Sequence, residues 1–143
     1  MLFLRKQNNG FDKALSWFRA HRVPGQGIIV HTRQPVSYPE VTGYFVPTLY
    51  EWGEDGLARA CIDWLLSVQL PDGAFPAADG VAYTFDTAQV MRGLNAALER
   101  GRPVKASLER AASWMVKQIG PDGRLDSRPR LRPVGPGPRQ RQR

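Results

Sequence analysis

Three times along this chain a tryptophan is followed, seven residues later, by a proline and a glycine-bearing turn: Trp17 with Pro24-Gly25, Trp64 with Pro71-Asp72-Gly73, and Trp114 with Pro121-Asp122-Gly123. The tryptophans stand 47 and 50 residues apart, and the last two copies align as Cys61-Ile62-Asp63-Trp64-Leu65-Leu66 over Ala111-Ala112-Ser113-Trp114-Met115-Val116. A period of this length marks stacked or ring-closed supersecondary units, each too small to bury its own apolar face.

The stretches between the turns read as helices. A first is expected from Asp12 to His21, with Asp12 as N-cap and Phe11, Leu15 and Phe18 on one buried stripe. Pro24-Gly25-Gln26-Gly27 ends it, and Ile28, Ile29 and Val30 form a short extended piece. A second helix is expected to reach Trp52 from an irregular start at Thr42 to Tyr44. Pro47 would then lie in its first turn or at a kink, because a helix interior loses a hydrogen bond and gains a ring clash at proline. The third, Asp55 to Gln69, carries Leu57, Cys61, Trp64, Leu65 and Val68 at helical spacing. The fourth spans Phe85 to Glu99, with Asp86 at the positive end of the helix dipole and Gly101 beyond its end. The fifth starts at Pro103 and runs to Gln118. With no convincing strand alternation, the expected class is all-α: antiparallel helical hairpins, the tryptophan-bearing helices forming one layer and the second and fourth helices the inner layer.

From residue 127 the composition changes. Residues 128–143 hold four prolines, two glycines, six arginines and no acid. This divides the chain into a helical domain over 1–126 and an Arg/Pro-rich tail over 127–143 that is expected to be disordered. The repeat stops mid-unit after Leu125, which reads as a reading frame lost partway through a longer protein rather than as a natural basic tail. The partition also settles the charge. The net +7 falls to +1 without those arginines, so the body lacks the basic face of a nucleic-acid binder. No apolar run approaches the roughly 20 residues of a membrane span, and Met1-Leu2-Phe3-Leu4 is too short for a signal sequence. The expected address is cytoplasmic. Cys61 is the single cysteine, so no intrachain disulfide or paired-thiol metal site can form.

Trp64 to Phe75, with Gln69 before the Pro-Asp-Gly-Ala-Phe turn, resembles a degenerate Gln/Trp repeat of the squalene-cyclase and prenyltransferase superfamily. Tyr38-Pro39-Glu40-Val41-Thr42-Gly43-Tyr44, followed by Phe85-Asp86-Thr87-Ala88-Gln89, is similar to bacterial toroid proteins associated with polysaccharide genes. The resemblance implies an α/α toroid over residues 11 to 126, of which two and a half hairpins are visible, and a carbohydrate association. Neither terpenoid chemistry has its parts. There is no Asp-x-Asp-Asp acid run, and a prenyltransferase zinc would have only Cys61, His21 and His31 to draw on. Cys61 sits on an apolar stripe, where a buried structural thiol is the expected state. No metal and no cofactor is expected.

The candidate site gathers at the starts of the inner helices, where free backbone N–H groups converge. Glu40 and Asp86, read as equivalent positions in successive units, would be the catalytic carboxylates, one protonating a leaving oxygen and the other activating water. Each could equally be a helix cap. Tyr38 and Tyr44 could stack on a sugar or belong to the core. Gln89 could bond a hydroxylated ligand, and His31, on the preceding loop, could shuttle protons. Gly43 and Gly93 are read as close-approach positions between helices. The expectation is therefore a fragment that binds or processes a carbohydrate and is inactive alone, with a glycan ligand and self-association through the open half-ring as its partners. A non-catalytic interaction module is the alternative from another class, and a terpenoid-enzyme relative without catalytic motifs is the third reading.

Overall fold

The computed structural model describes residues 9–126. The Arg/Pro-rich segment from residue 127, on which the tail and its boundary depend, lies outside the described residues. Five helices follow one another: α1 (Asn9–Ala20), α2 (Pro39–Glu51), α3 (Asp55–Val68), α4 (Thr84–Glu99) and α5 (Lys105–Val116). Between α1 and α2 lies an antiparallel hairpin of β1 (Ile29–His31) and β2 (Gln34–Ser37), with Ile29 opposite Ser37, His31 opposite Gln34 and a register shift between them. The chain is thus mostly helical with one small sheet, which corrects the all-α expectation. The hairpin escapes a search for alternation because Thr32-Arg33 is not a glycine-type hairpin turn and Val30 and Val36 are both exposed.

Helix starts move where proline was misjudged. Pro39, not a residue near Thr42, opens α2. Tyr38 before it is extended (φ −120°, ψ 122°), and proline at the first helical position gives up an N–H that had no partner there. Pro47 consequently falls inside the helix, and the carbonyl it cannot bond is that of Gly43. Asp12 lies in the first turn of α1 rather than at its cap, and Pro103 precedes α5 instead of opening it.

α2 and α4 lie side by side with their N-terminal ends together. Tyr38, at the start of α2, bonds Asp86 in the first turn of α4, and further along Gly43 meets the backbone of Gln89 and Val90. The Gly43 carbonyl lies 2.5 Å from where a Cβ on residue 93 would stand, so the crossing requires glycine on both helices. Behind them α3 packs on α2 and α5 on α4, with Arg102, in the loop before α5, bonded to Asp63 of α3 at 2.7 Å and Gln69, just past α3, bonded to the Ser107 hydroxyl and carbonyl of α5 at 2.8 and 2.9 Å. Val46, Leu49, Ile62, Leu65, Phe75, Val90 and Leu94, all fully buried, fill the space between the layers. At the near edge Phe18 of α1 packs on Phe45, with ring centroids 4.8 Å apart.

The three Asp-Gly turns, at Asp72, Asp79 and Asp122, share one geometry, which the Pro24-Gly25 turn, lacking an aspartate, does not repeat. Leu70, Ala77 and Gly120 each accept from the N–H three residues on and donate to the carbonyl four residues on. Asp72, Asp79 and Asp122 each accept from the N–H two residues on, with Gly73, Gly80 and Gly123 at positive φ. That is an Asx turn tightened by a left-handed glycine. The tryptophans are less uniform than the repeat suggests. The Trp64 ring covers Gly27 of the preceding turn, and Trp114 is 9 % exposed. Trp17 is 49 % exposed and stacks on His21, since no preceding turn lies beneath α1 among the described residues.

Candidate functional site

Thr42 and Thr87 fix how the two inner helices correspond. The Thr42 hydroxyl accepts the Ile28 N–H at 2.9 Å and the Thr87 hydroxyl accepts the Phe75 N–H at 3.2 Å, while their own N–H groups bond the carbonyls of Tyr38 and Tyr83 at 3.0 Å. Each threonine ties a turn to the first turn of the helix that follows it. Tyr38 therefore matches Tyr83, and both precede their helices. On this register Glu40 matches the exposed Phe85, and Asp86 matches Val41, which shares its exposure of 8 %. Glu40 and Asp86 are thus one residue out of equivalence, which corrects the sequence reading. Neither stands at the residue preceding its helix, so neither is an N-cap.

Because α2 and α4 start side by side, Asp86 lies near enough to Glu40 for its charge to be felt there. The Tyr38 hydroxyl donates to Asp86 Oδ2 at 2.9 Å. Burial holds the Asp86 carboxyl above the ordinary carboxylate range, the Tyr38 bond pulls it partway back, and the charge of Asp79 adds to the rise. Glu40 is also raised, first by burial and then by the charge of Asp86. The Tyr38 phenol is pushed up to about 12 by burial, by its bond to Asp86 and by the charges of Asp86, Glu40 and Asp79. Tyr44 is raised by burial and by Glu40. Like charges and desolvation favour the neutral acid, and at Asp86 the hydrogen bond from Tyr38 opposes them.

Two members of this cluster are absent from the sequence reading. Asp79 accepts the Val81 N–H at 2.9 Å and the Tyr83 hydroxyl at 2.9 Å, and these bonds hold its carboxyl low. Its charge is felt at Tyr38 and Asp86. The signal was present: Asp79-Gly80 repeats the Asp-Gly turn of Asp72-Gly73 seven residues on. Other candidates stand apart. Gln89 is tied to Arg92, whose guanidinium donates to its Oε1 at 2.9 Å. His31 lies on the exposed hairpin, its Nδ1 accepting the Arg33 N–H at 3.0 Å, a turn contact. Cys61 is fully buried and its thiol is pushed up to about 11, chiefly by burial. Among the described residues no three His, Cys, Asp or Glu side chains are placed to hold a metal ion, and no helix is long and apolar enough to cross a membrane.

The arrangement offers two carboxyl groups whose proton affinity is raised by burial, one of them bonded to a phenol, and two tyrosine rings at one end of a helix pair. Such a set can exchange hydrogen bonds with hydroxyl groups and move a proton between them. No protein-family model matches this chain, and no curated protein does.

Proposed function

We propose that the chain is part of an α/α toroid that binds a hydroxylated, carbohydrate-like ligand where α2 and α4 begin. Tyr38 and Tyr44 form the walls, and Glu40 and Asp86 are the polar centre. The observation that carries this reading is the Tyr38–Asp86 hydrogen bond set beside Glu40, a pairing of phenol and carboxylates that supplies both donors and acceptors to a polyol. The side-by-side α2 and α4, backed by α3 and α5, are what successive hairpins of a helical ring would present, and this supports the toroid.

In a reactive setting Glu40, its pKa raised by burial and by the charge of Asp86, would donate to a leaving oxygen. Asp86, whose charge the Tyr38 hydroxyl stabilises, would take a proton from water. Turnover would further require donors preorganised on the transition state, whereas binding requires only the hydrogen-bonding set itself. Binding without turnover is the expected behaviour of this chain. Calorimetric titration of the chain with neutral and acidic oligosaccharides tests the reading. Asp86→Asn and Glu40→Gln should each weaken binding about tenfold or more, as for a lost hydrogen bond to a charged group. Equal heats for all three proteins would leave these residues a structural role only.

A second reading, a non-catalytic interaction module, is favoured by a different observation: an apolar groove along α4 and α5, away from the carboxylates.

A further inference from the structure

The correspondence of Thr42 with Thr87 extends along the inner helices, setting Gly43, Val46 and Tyr50 against Ala88, Met91 and Asn95. The match of Trp64 with Trp114 likewise sets Ala58 and Leu65 against Leu108 and Met115. In the first unit this surface is closed by α4: Gly43 meets the Val90 backbone, and Val46, Ala58 and Leu65 are fully buried. In the second unit Ala88, Met91, Asn95, Leu108 and Met115, together with Pro47, line an open groove of about 680 Å³.

We infer that this groove seats one further amphipathic helix of the α4 kind, supplied by a partner chain, with its apolar stripe facing Met91, Leu108 and Met115. This correspondence between the two units lies within the chain and is independent of any carbohydrate ligand. The same chain positions, one unit earlier, already hold such a helix through Val90, Gly93, Leu94 and Ala97, all of them buried. The second surface is fuller at two points, with Ala88 for Gly43 and Leu108 for Ala58, so the incoming helix needs small residues where it meets them. A second copy of the chain has no such helix to spare, because its α2 and α4 bury the corresponding faces in their own core.

Met91 and Met115 line the groove, which makes it directly observable. The experiment follows ¹³C-methyl methionine NMR signals of the full chain during titration with a synthetic peptide of residues 83–100. The expected result is saturable shifts of Met91 and Met115, absent with a scrambled peptide of the same composition. Asn95→Trp, which fills the groove from an exposed position, should keep the helical circular dichroism of the parent chain and weaken the peptide about tenfold. Unshifted Met91 and Met115 at millimolar peptide would overturn the proposal, as would an undiminished response in the Asn95→Trp chain. Shifts that grow with protein concentration alone, with a dimer in sedimentation, would overturn it in favour of a second copy as occupant.

Discussion

Replacing Gly93 by alanine places a methyl group against the backbone of a neighbouring helix. The new Cβ would stand 2.5 Å from the Gly43 carbonyl oxygen and 3.2 Å from the Gly43 Cα and carbonyl carbon, whereas ordinary contact starts near 3.4 Å. No side chain can swing aside, so α2 and α4 must part by nearly an ångström. A gap of that size forfeits about a quarter to a half of each affected contact, and the buried Val46, Leu49, Val90 and Leu94 lie in this core. Overpacking of this kind costs about 1–3 kcal/mol; the upper end applies because the obstacle is backbone. Alanine returns about 1 kcal/mol through helix propensity. The net expectation is a loss of about 2 kcal/mol, or a fall in Tm of roughly 10 °C, read from denaturant and thermal unfolding. Gly56→Ala is the control, since a Cβ there meets nothing within 4 Å and the residue lies in the first turn of α3. It should leave stability unchanged or raise it by up to about 1 kcal/mol. If Gly93→Ala matched the control, the close crossing of α2 and α4 would be wrong.

Three further outcomes follow from the same contacts. Trp114→Ala should cost about 3–5 kcal/mol in denaturant titration, whereas Trp17→Ala, at a half-exposed ring, should cost less than about 1 kcal/mol; equal losses would contradict the difference in burial. Tyr38→Phe leaves the buried Asp86 carboxylate without its hydroxyl donor, which should cost about 1–3 kcal/mol at neutral pH and raise the Asp86 pKa further, as followed by carboxyl ¹³C shifts. Because folding raises the Asp86 pKa, its contribution to stability is complete below the unfolded value of 3.8 and is lost as pH rises through the folded value. The stability of Asp86→Asn relative to the parent should therefore be greater at pH 7 than at pH 3.5; the opposite order in paired thermal melts would refute the direction of the shift.

The helix–turn repeat was legible because its signals are local. Trp64 to Gly73 and Trp114 to Gly123 each join an apolar helical stripe to a Pro-Asp-Gly turn, and α3 and α4 begin and end within a residue of their expected limits. What escaped depends on partners distant in sequence. The sequence reading puts Pro47 in the first turn of α2 or at a kink, yet it lies inside the helix, where the carbonyl it leaves unbonded is that of Gly43, which points toward Gly93 of another helix. The inner-helix register is carried by hydroxyl bonds from Thr42 and Thr87 to turns more than ten residues earlier, so spacing alone misaligned Glu40 with Asp86. Asp79 and Tyr83 are local to Asp86, bonded to each other four residues apart in the turn that leads into α4, and the Asp-Gly pair at 79–80 is the sequence signal for that turn. His31 and Gln89 were chosen for their chemistry, and their observed bonds run to Arg33 and Arg92.

The functional reading depends on Glu40 and Asp86 sharing one desolvated space, and residue-specific ¹³C NMR titration of their carboxyl groups tests that most directly. Both should titrate above the ordinary range for their residue types in the parent chain, and Asp86→Asn should lower the Glu40 value by removing a neighbouring negative charge. Ordinary values for both, or a Glu40 titration indifferent to Asp86→Asn, would show that the two carboxylates act apart and would remove the basis for a joint site.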